Sequence, residues 1–335
     1  MIEIIKHLDN HIDYLRLKNE YLEAVVTNYG CTILNIFVKD KNNQIQDVVL
    51  GYETIEEYQN YDAYLGALVG RVANRIGKGT FCLNEETYHL AINNGPNCLH
   101  GGVKGFSYQV FDYEIKDDQL IFHYVSPDGE ENFPGTLDFY ATYQLIEDRL
   151  VVHYQASTDK DTLINITNHS YFNLSGHPCN IDQHYLRIAS NQYAPVDNDG
   201  LTTGEIVSST GSPFDFQEEK QIKEQINRDH EQLIIAKGFD HPFLFNQKEN
   251  QVTLYCQETG IELTVSTTLP QAQIYSANYL DGRLGKNGQP MNERDAICIE
   301  TQNMPDSIHN EKEPTVILRK GDTYDETTTY RFKVR

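Results

Sequence analysis

Between Gln119 and Ser157 the chain alternates apolar and polar residues with little interruption: QLIFHYVSPDGEENFPGTLDFYATYQLIEDRLVVHYQAS. Leu120, Phe122 and Tyr124 share one face of the first run. Leu137, Phe139, Ala141, Tyr143 and Leu145 share a face of the second, and Leu150, Val152 and Tyr154 a face of the third. A period of two is the mark of half-buried antiparallel strands. The breaks agree, because Pro127-Asp128-Gly129 and Glu147-Asp148-Arg149 sit where hairpin connections belong.

The same texture recurs at residues 20–40, 250–269 and 295–303, where β-branched and aromatic residues are broken by Gly and Asn pairs. Two stretches depart from it. Residues 52–61 (YETIEEYQNY) read as a short helix, and residues 217–235, charged and Gln-rich, as partly helical. No Pro- or Ser-rich linker, fixed-length repeat or low-complexity tract divides the chain. The expectation is therefore one domain over residues 1–335, all-β, a large antiparallel β-sandwich with a few short helices.

Charge narrows the partners. Lys and Arg total 27 against 49 Asp and Glu, a formal charge of −22. Such a chain repels phosphate backbones and anionic lipid heads, so neither nucleic acid nor a membrane is an expected partner. No apolar run approaches the ~20 residues of a membrane helix. The opening MIEIIKHLDNHIDYLRL lacks the form of a secretory signal. Six dispersed cysteines (31, 82, 98, 179, 256 and 298) form no C-x-x-C pair and suggest reduced, mostly packed thiols in a cytoplasmic protein. With 22 Tyr, 14 Phe and no Trp, any aromatic platform for a ligand must be Tyr or Phe.

Three histidines lie in unusual contexts. His100 is in INNGPNCLHGG, His169 in NITNHSYFNLSG and His241 in KGFDHPF. His123 and His153 instead sit inside alternating strands, as strand-face positions do. There is no H-E-x-x-H, and a metal would need ligands from distant strands. Glu300 follows the apolar run Ala296–Ile299, and a carboxylate at the end of such a strand is held rigidly, as a general base must be. Asp240 and the pair Asn74 and Arg75 are polar groups wedged into loop-like sequence. The Gly-rich stretch 66–79 contains neither G-x-G-x-x-G nor a Walker pattern, and its Arg71 and Arg75 suit hydroxyls or a carboxylate better than a phosphate. No G-x-S-x-G supports acyl-enzyme chemistry.

Together these motifs resemble the aldose 1-epimerase (galactose mutarotase) family. The matching stretches are GRVANRIGKGTF (70–81), YHLAINNGPNCLHGG (88–102), SPDGEENFPG (126–135), TNHSYFNLSG (167–176), GFDHPF (238–243) and ETQNMPD (300–306). The resemblance implies a many-stranded sandwich with an open, sugar-sized cleft on one sheet. It also implies interconversion of the α and β anomers of free hexoses, with no cofactor and no metal. By the same resemblance Glu300 is the base, His169 the acid and His100 a second active-site histidine beside the ring oxygen. Asn74, Arg75, Asp240 and Gln273 are sugar contacts, with Ser170 and Tyr171 flanking the acid.

That chemistry needs a proton taken from the C1 hydroxyl and one given to the ring oxygen, each positioned group contributing typically ~10²–10⁴-fold. Carboxylates near His169 are expected to keep it protonated. Leu269 and Met304 stand where the family often has Gln and Trp, which bears on substrate range. The expected partner is a free aldohexose, and the expected assembly a monomer or homodimer. Two rivals are a hexose-6-phosphate epimerase of the same fold, which needs several cations at the cleft, and a sugar-binding relative without chemistry.

Overall fold

A computed structural model describes residues 1–310 and 315–335. Its largest sheet has nine strands in the order Asp112–Lys116, Gln119–Ser126, Leu137–Ile146, Arg149–Thr158, Thr323–Val334, Ile261–Thr267, Val252–Tyr255, Tyr185–Ile188 and Lys220–Gln221. The pairs are antiparallel. The three alternating runs read from the sequence are consecutive strands here. Their apolar faces (Leu120, Phe122; Leu137, Phe139, Ala141, Tyr143; Leu150, Val152, Tyr154) are buried in the main core. Each large apolar side chain so buried stabilises the fold by about 1.5–3 kcal/mol relative to exposure. The second hairpin turn is tighter than the sequence suggested: Glu147 and Asp148 alone make it, and Arg149 already pairs with Ile146.

A six-stranded sheet runs Tyr171–Phe172, Ile297–Gln302, Gln271–Tyr275, Asp240–Leu244, Gln192–Tyr193 and Val207–Ser208. A five-stranded sheet holds residues 2–47. Helices are short, as expected: Ile55–Asn60 in the first predicted segment, Ile222–Ile226 and Glu231–Ala236 in the second. The first begins with a capping box between Thr54 and Glu57.

The six-stranded sheet positions the chemistry. Alternation sends Ile297, Ile299, Ala272, Ile274 and Phe243 into the main core. It therefore sends Cys298, Glu300, Gln273 and Asp240 to the opposite face. Register then sets Glu300 directly across from Gln273, and Asp240 across from Tyr275. The sequence placed Glu300 at a strand end. It lies mid-strand instead, because Thr301 and Gln302 continue the pairing with Ala272 and Gln271.

Candidate active site

The polar face of that sheet floors an open cleft of about 550 Å³. Its lining includes Asn74, Arg75, His100, His169, Tyr171, Asp240 and Glu300, seven of the nine residues singled out from the sequence. His169 reaches the floor from the segment after the short strand Thr167–Asn168. Its N–H donates to Ala67 O, and its carbonyl accepts from Gly66 N–H. The imidazole stacks on Tyr171, with centroids 5.1 Å apart and planes 16° apart, and meets Tyr275 edge-on. The Tyr171 hydroxyl donates to Ala63 O at 2.9 Å, which fixes that platform. His169 Nε2 then stands 3.5 Å from Glu300 Oε1.

Both members of the pair are buried, and His169 Nδ1 and Glu300 Oε2 have no hydrogen-bond partner among the described residues. On the floor of an open cleft, such atoms are free to meet a ligand or water. Burial pushes His169 down to about 4. It pushes Glu300 well above the usual carboxylate range, with Asp240 adding to the rise and Arg75 opposing it. This corrects the expectation that neighbouring carboxylates keep His169 charged: loss of water outweighs the attraction of a partner that burial also drives toward neutrality.

His100 and Asn74 hold one another. His100 N–H donates to Asn74 O at 3.0 Å, and Asn74 N–H donates to His100 Nδ1 at 3.2 Å. With Nδ1 accepting, the ring proton is on Nε2. Burial, His169 and Arg75 all push His100 well below its ordinary value, so the ring is a neutral donor. Both residues have positive φ, 61° for Asn74 and 53° for His100, a backbone rarely adopted outside Gly and most tolerated at Asn, Asp and His. Arg75 donates from Nε to Asn94 at 3.0 Å and lies under Gly200 of the cleft-lining loop 196–200. Asp240 accepts from Gln273 Nε2 at 2.7 Å. Its carboxyl is raised by burial, against the pull of Arg75 and Gln273.

Ser170, expected to flank the acid, and Gln273, expected as a sugar contact, are not among the lining residues. Ser170 is buried with its hydroxyl donating to Asn168 Oδ1 at 2.6 Å, and it does not line the cleft. Gln273 is likewise buried and off the lining, its Nε2 donating to Asp240 and its Oε1 without a partner among the described residues. Arg71, paired with Arg75 in the sequence reading, is buried elsewhere, where its guanidinium donates to carbonyls of Pro134, Gly135 and Pro127. His241 sits on the core side of its strand, accepting from Asp240 N–H and meeting Gln232 Oε1 at 3.0 Å. His123 and His153 are surface partners of Asp138 and Asp325, as their alternating contexts suggested. Neither Leu269 nor Met304 is among the described lining residues.

Sequence reasoning missed Tyr64, Tyr275, Tyr279 and Arg283, all on the lining. The absence of Trp was the available signal for the tyrosines: these three, with Tyr171, wall this cleft. Arg283 had no signal. It is bonded to Asp281 at 2.9 Å and to Asp62 at 3.3 Å, so its charge is already matched. Among the described residues, His169, Cys298 and Glu300 bring metal-ligand atoms within 4.8 Å of one another, but burial pushes the Cys298 thiol well up, away from the thiolate a metal binds.

A family model described as aldose 1-epimerase matches residues 13–331. The chain belongs to the aldose 1-epimerase family. It is 40% identical to human galactose mutarotase over 328 residues, covering 96% of this chain and 94% of that one. It is 33% identical to the aldose 1-epimerase of Escherichia coli K12, covering 94% and 93%. An aldose epimerase homologue from C. elegans superposes with a TM-score of 0.90 at 30% identity, covering 96% of this chain and 98% of that chain. This aldose 1-epimerase family member is thus an enzyme of the epimerase kind of isomerase.

Proposed function

We propose that the cleft interconverts the α and β anomers of free aldohexoses such as D-galactose and D-glucose, with Glu300 as base and His169 as acid. The observation that carries this is the buried pair itself, one carboxylate and one imidazole 3.5 Å apart on the cleft floor, each with a second polar atom unpartnered among the described residues. Glu300 takes the C1 hydroxyl proton while His169 delivers one to the ring oxygen, and the C1–ring oxygen bond breaks. Rotation about C1–C2 exposes the other aldehyde face, and the reversed transfers close the ring.

Neutral His169 with protonated Glu300 holds the same single proton as the charged pair. The pair therefore reaches its working form by moving one proton between its members, with none exchanged with solvent. Sugar hydroxyls supply the hydrogen bonds that favour the charged arrangement. His100 donates from Nε2 toward the ring oxygen. Arg75, Asn74 and Asp240 pair with ring hydroxyls, and an unpaired buried group costs roughly 1–3 kcal/mol, which separates one epimer from another. Gln273 and Ser170 act by holding Asp240 and the His169 segment.

Sugar phosphates fit less well, because Arg283 at the cleft is already matched by Asp281 and Asp62. Residues 1–335 act as one domain in this reading, since strand Thr323–Val334 is central to a sheet whose outermost strand is Asp112–Lys116. Among the described residues no helix is long and apolar enough to cross a membrane. The unpaired thiols suit a cytoplasmic enzyme that works as a monomer or homodimer without a cofactor.

Polarimetry of freshly dissolved α-D-galactose in weak buffer near neutral pH tests the proposal. A faster approach to the same final rotation is expected, and no acceleration with galactose or glucose would overturn it.

A further inference from the structure

No residue of the stretch SPDGEENFPG (126–135) lines the cleft, yet it binds both segments that carry the cleft's loop residues. It follows the strand Gln119–Ser126 and turns at Glu130–Asn132, with Gly129, Glu131 and Asn132 at positive φ. One side of it grips the segment of Asn74 and Arg75. The carbonyls of Pro127, Pro134 and Gly135 accept from the buried Arg71 guanidinium at 3.2, 3.0 and 2.9 Å. The other side grips the segment of His100.

Glu131 makes that second grip. Its Oε2 accepts from Val103 N–H at 2.8 Å and its Oε1 from Lys104 N–H at 3.0 Å. Both oxygens of one carboxylate thus meet consecutive N–H groups, and bonds to such an acceptor are roughly twice as strong as neutral ones. The carboxylate also lies against the chain just after His100, where an added Cβ on Gly102 would strike it. Core packing does not fix this stretch, because Val103 is 58% exposed and Lys104 is exposed too. Two side chains hold its backbone instead: Glu131, and Asn93, whose Nδ2 donates to Leu99 O and Gly102 O at 3.0 and 2.8 Å. His100 stands between these anchors at a φ of 53°. A non-glycine residue at such a φ persists only where its surroundings over-determine it.

We propose that Glu131 is a positioning residue for His100: its carboxylate anchors the loop after His100 and so keeps the imidazole aimed at the sugar ring oxygen. This rests on the reading of the cleft given above. Glu131 lies off the cleft lining and acts through His100. The adjacent Glu130 serves the turn itself, accepting from the hydroxyls of Tyr124 and Ser126. A Gln side chain has one acceptor oxygen where the carboxylate has two. Glu131→Gln therefore keeps one of the two bonds and sets an NH₂ group against the other N–H. The loop stays in place but loses half its anchor, and His100 is aligned for less of the time. Misplacing a reacting group by about 1 Å costs up to about 10²-fold, which bounds the effect.

The test is a double-mutant cycle in galactose polarimetry: parent, Glu131→Gln, His100→Ala and the two combined. Glu131→Gln is expected to lower kcat about ten-fold with KM within about two-fold. In the His100→Ala background the same substitution is expected to change kcat by less than about two-fold, because the group it positions is gone. Glu131→Asp, one methylene shorter with its charge kept, is expected to lose a smaller factor that also vanishes in that background. It gives the reading where Glu131→Gln fails to fold. An equal loss in both backgrounds would make Glu131 merely structural, and that result, or an unchanged kcat in folded Glu131→Gln, would overturn the proposal. A parent without acceleration would instead remove the reading of the cleft. The positioning is then read by NMR of the histidine ring nitrogens, with the His100 signals identified by their loss in His100→Ala. The parent is expected to show His100 as one neutral tautomer, protonated on Nε2, and Glu131→Gln to show a mixture of tautomers. Identical His100 signals in the two proteins would overturn the proposal by that route.

Discussion

Two histidine–carboxylate pairs in this molecule have opposite characters. On the outer face of the nine-stranded sheet, His123 Nε2 is 2.6 Å from Asp138, with both side chains partly in water and the ring stacked on Tyr140. On the floor of the cleft, His169 and Glu300 are farther apart, 3.5 Å, and both are buried. The shorter contact is the weaker statement about function. Water completes every unmet bond of the surface pair and screens its charge. No group among the described residues completes the buried pair, and burial favours the neutral form of both members, pushing His169 down and Glu300 up. A proton moved between them turns the neutral pair into an ion pair at the same net charge, the arrangement from which Glu300 can take a proton and His169 give one.

The sharpest way to break that contrast is Glu300→Gln, which keeps the shape and removes the base. Turnover is expected to fall about 10³-fold with the melting temperature nearly unchanged. A variant within ten-fold of the parent in polarimetry would take Glu300 out of the mechanism. Next comes His100→Ala, expected to cost about 10²-fold, mostly in kcat, since the neutral ring donates most strongly where charge develops on the ring oxygen. An effect confined to KM would make His100 a binding residue only.

Burial of a histidine also has a price in acid, and His241 shows it apart from the chemistry. Burial and then His230 push it down to about 3, and the neutral ring is satisfied on both nitrogens. In the unfolded chain it titrates near 6.5. Between those values the unfolded state binds the extra proton, so this contribution to stability is present above pH 6.5 and is lost as pH falls toward 3. Denaturant titrations at pH 6.5 and 4.5 are expected to show the parent losing about 2 kcal/mol more than His241→Gln. Equal losses would mean that another group carries the acid sensitivity.

How far the site was legible follows from the same geometry. The strands were readable because their alternation is the signal of a half-buried sheet, and Leu120 through Tyr154 lie as that pattern requires. Glu300, His169, His100, Asn74, Arg75 and Asp240 stood out as polar groups in strand or loop sequence that gave them no structural partner, and all six reach the cleft. Ser170 is bonded back to Asn168, and the Gln273 N–H to Asp240, commitments that no local sequence pattern announces. Tyr275 was hidden for another reason: it sits in an ordinary alternating strand, QAQIY, where an aromatic reads as core. Which face of that strand meets the cleft depends on its register with Ile297–Gln302, and pairing across some 25 residues of chain has no local signature.

A smaller effect is expected at Gly200, whose φ of +74° suits glycine and where an added Cβ would lie 2.9 Å from the Arg75 guanidinium carbon. Gly200→Ala pays about 1 kcal/mol in backbone strain and displaces Arg75. KM is expected to rise three- to ten-fold, on the order of 1 kcal/mol of binding, with kcat within a factor of two. A kcat loss as large as the change in KM would mean that Arg75 also acts in the transition state.

The smallest effect returns to the surface pair. His123→Ala removes a 2.6 Å contact to Asp138 and the stack on Tyr140, yet exposed ion pairs contribute about 0–1 kcal/mol because water replaces what is lost. Stability measured by denaturant titration is expected to change by less than about 0.5 kcal/mol and sugar turnover not at all. A loss above about 2 kcal/mol would show that a short surface contact carries real weight here, and the contrast between the two pairs would then rest on chemistry alone, without the help of burial.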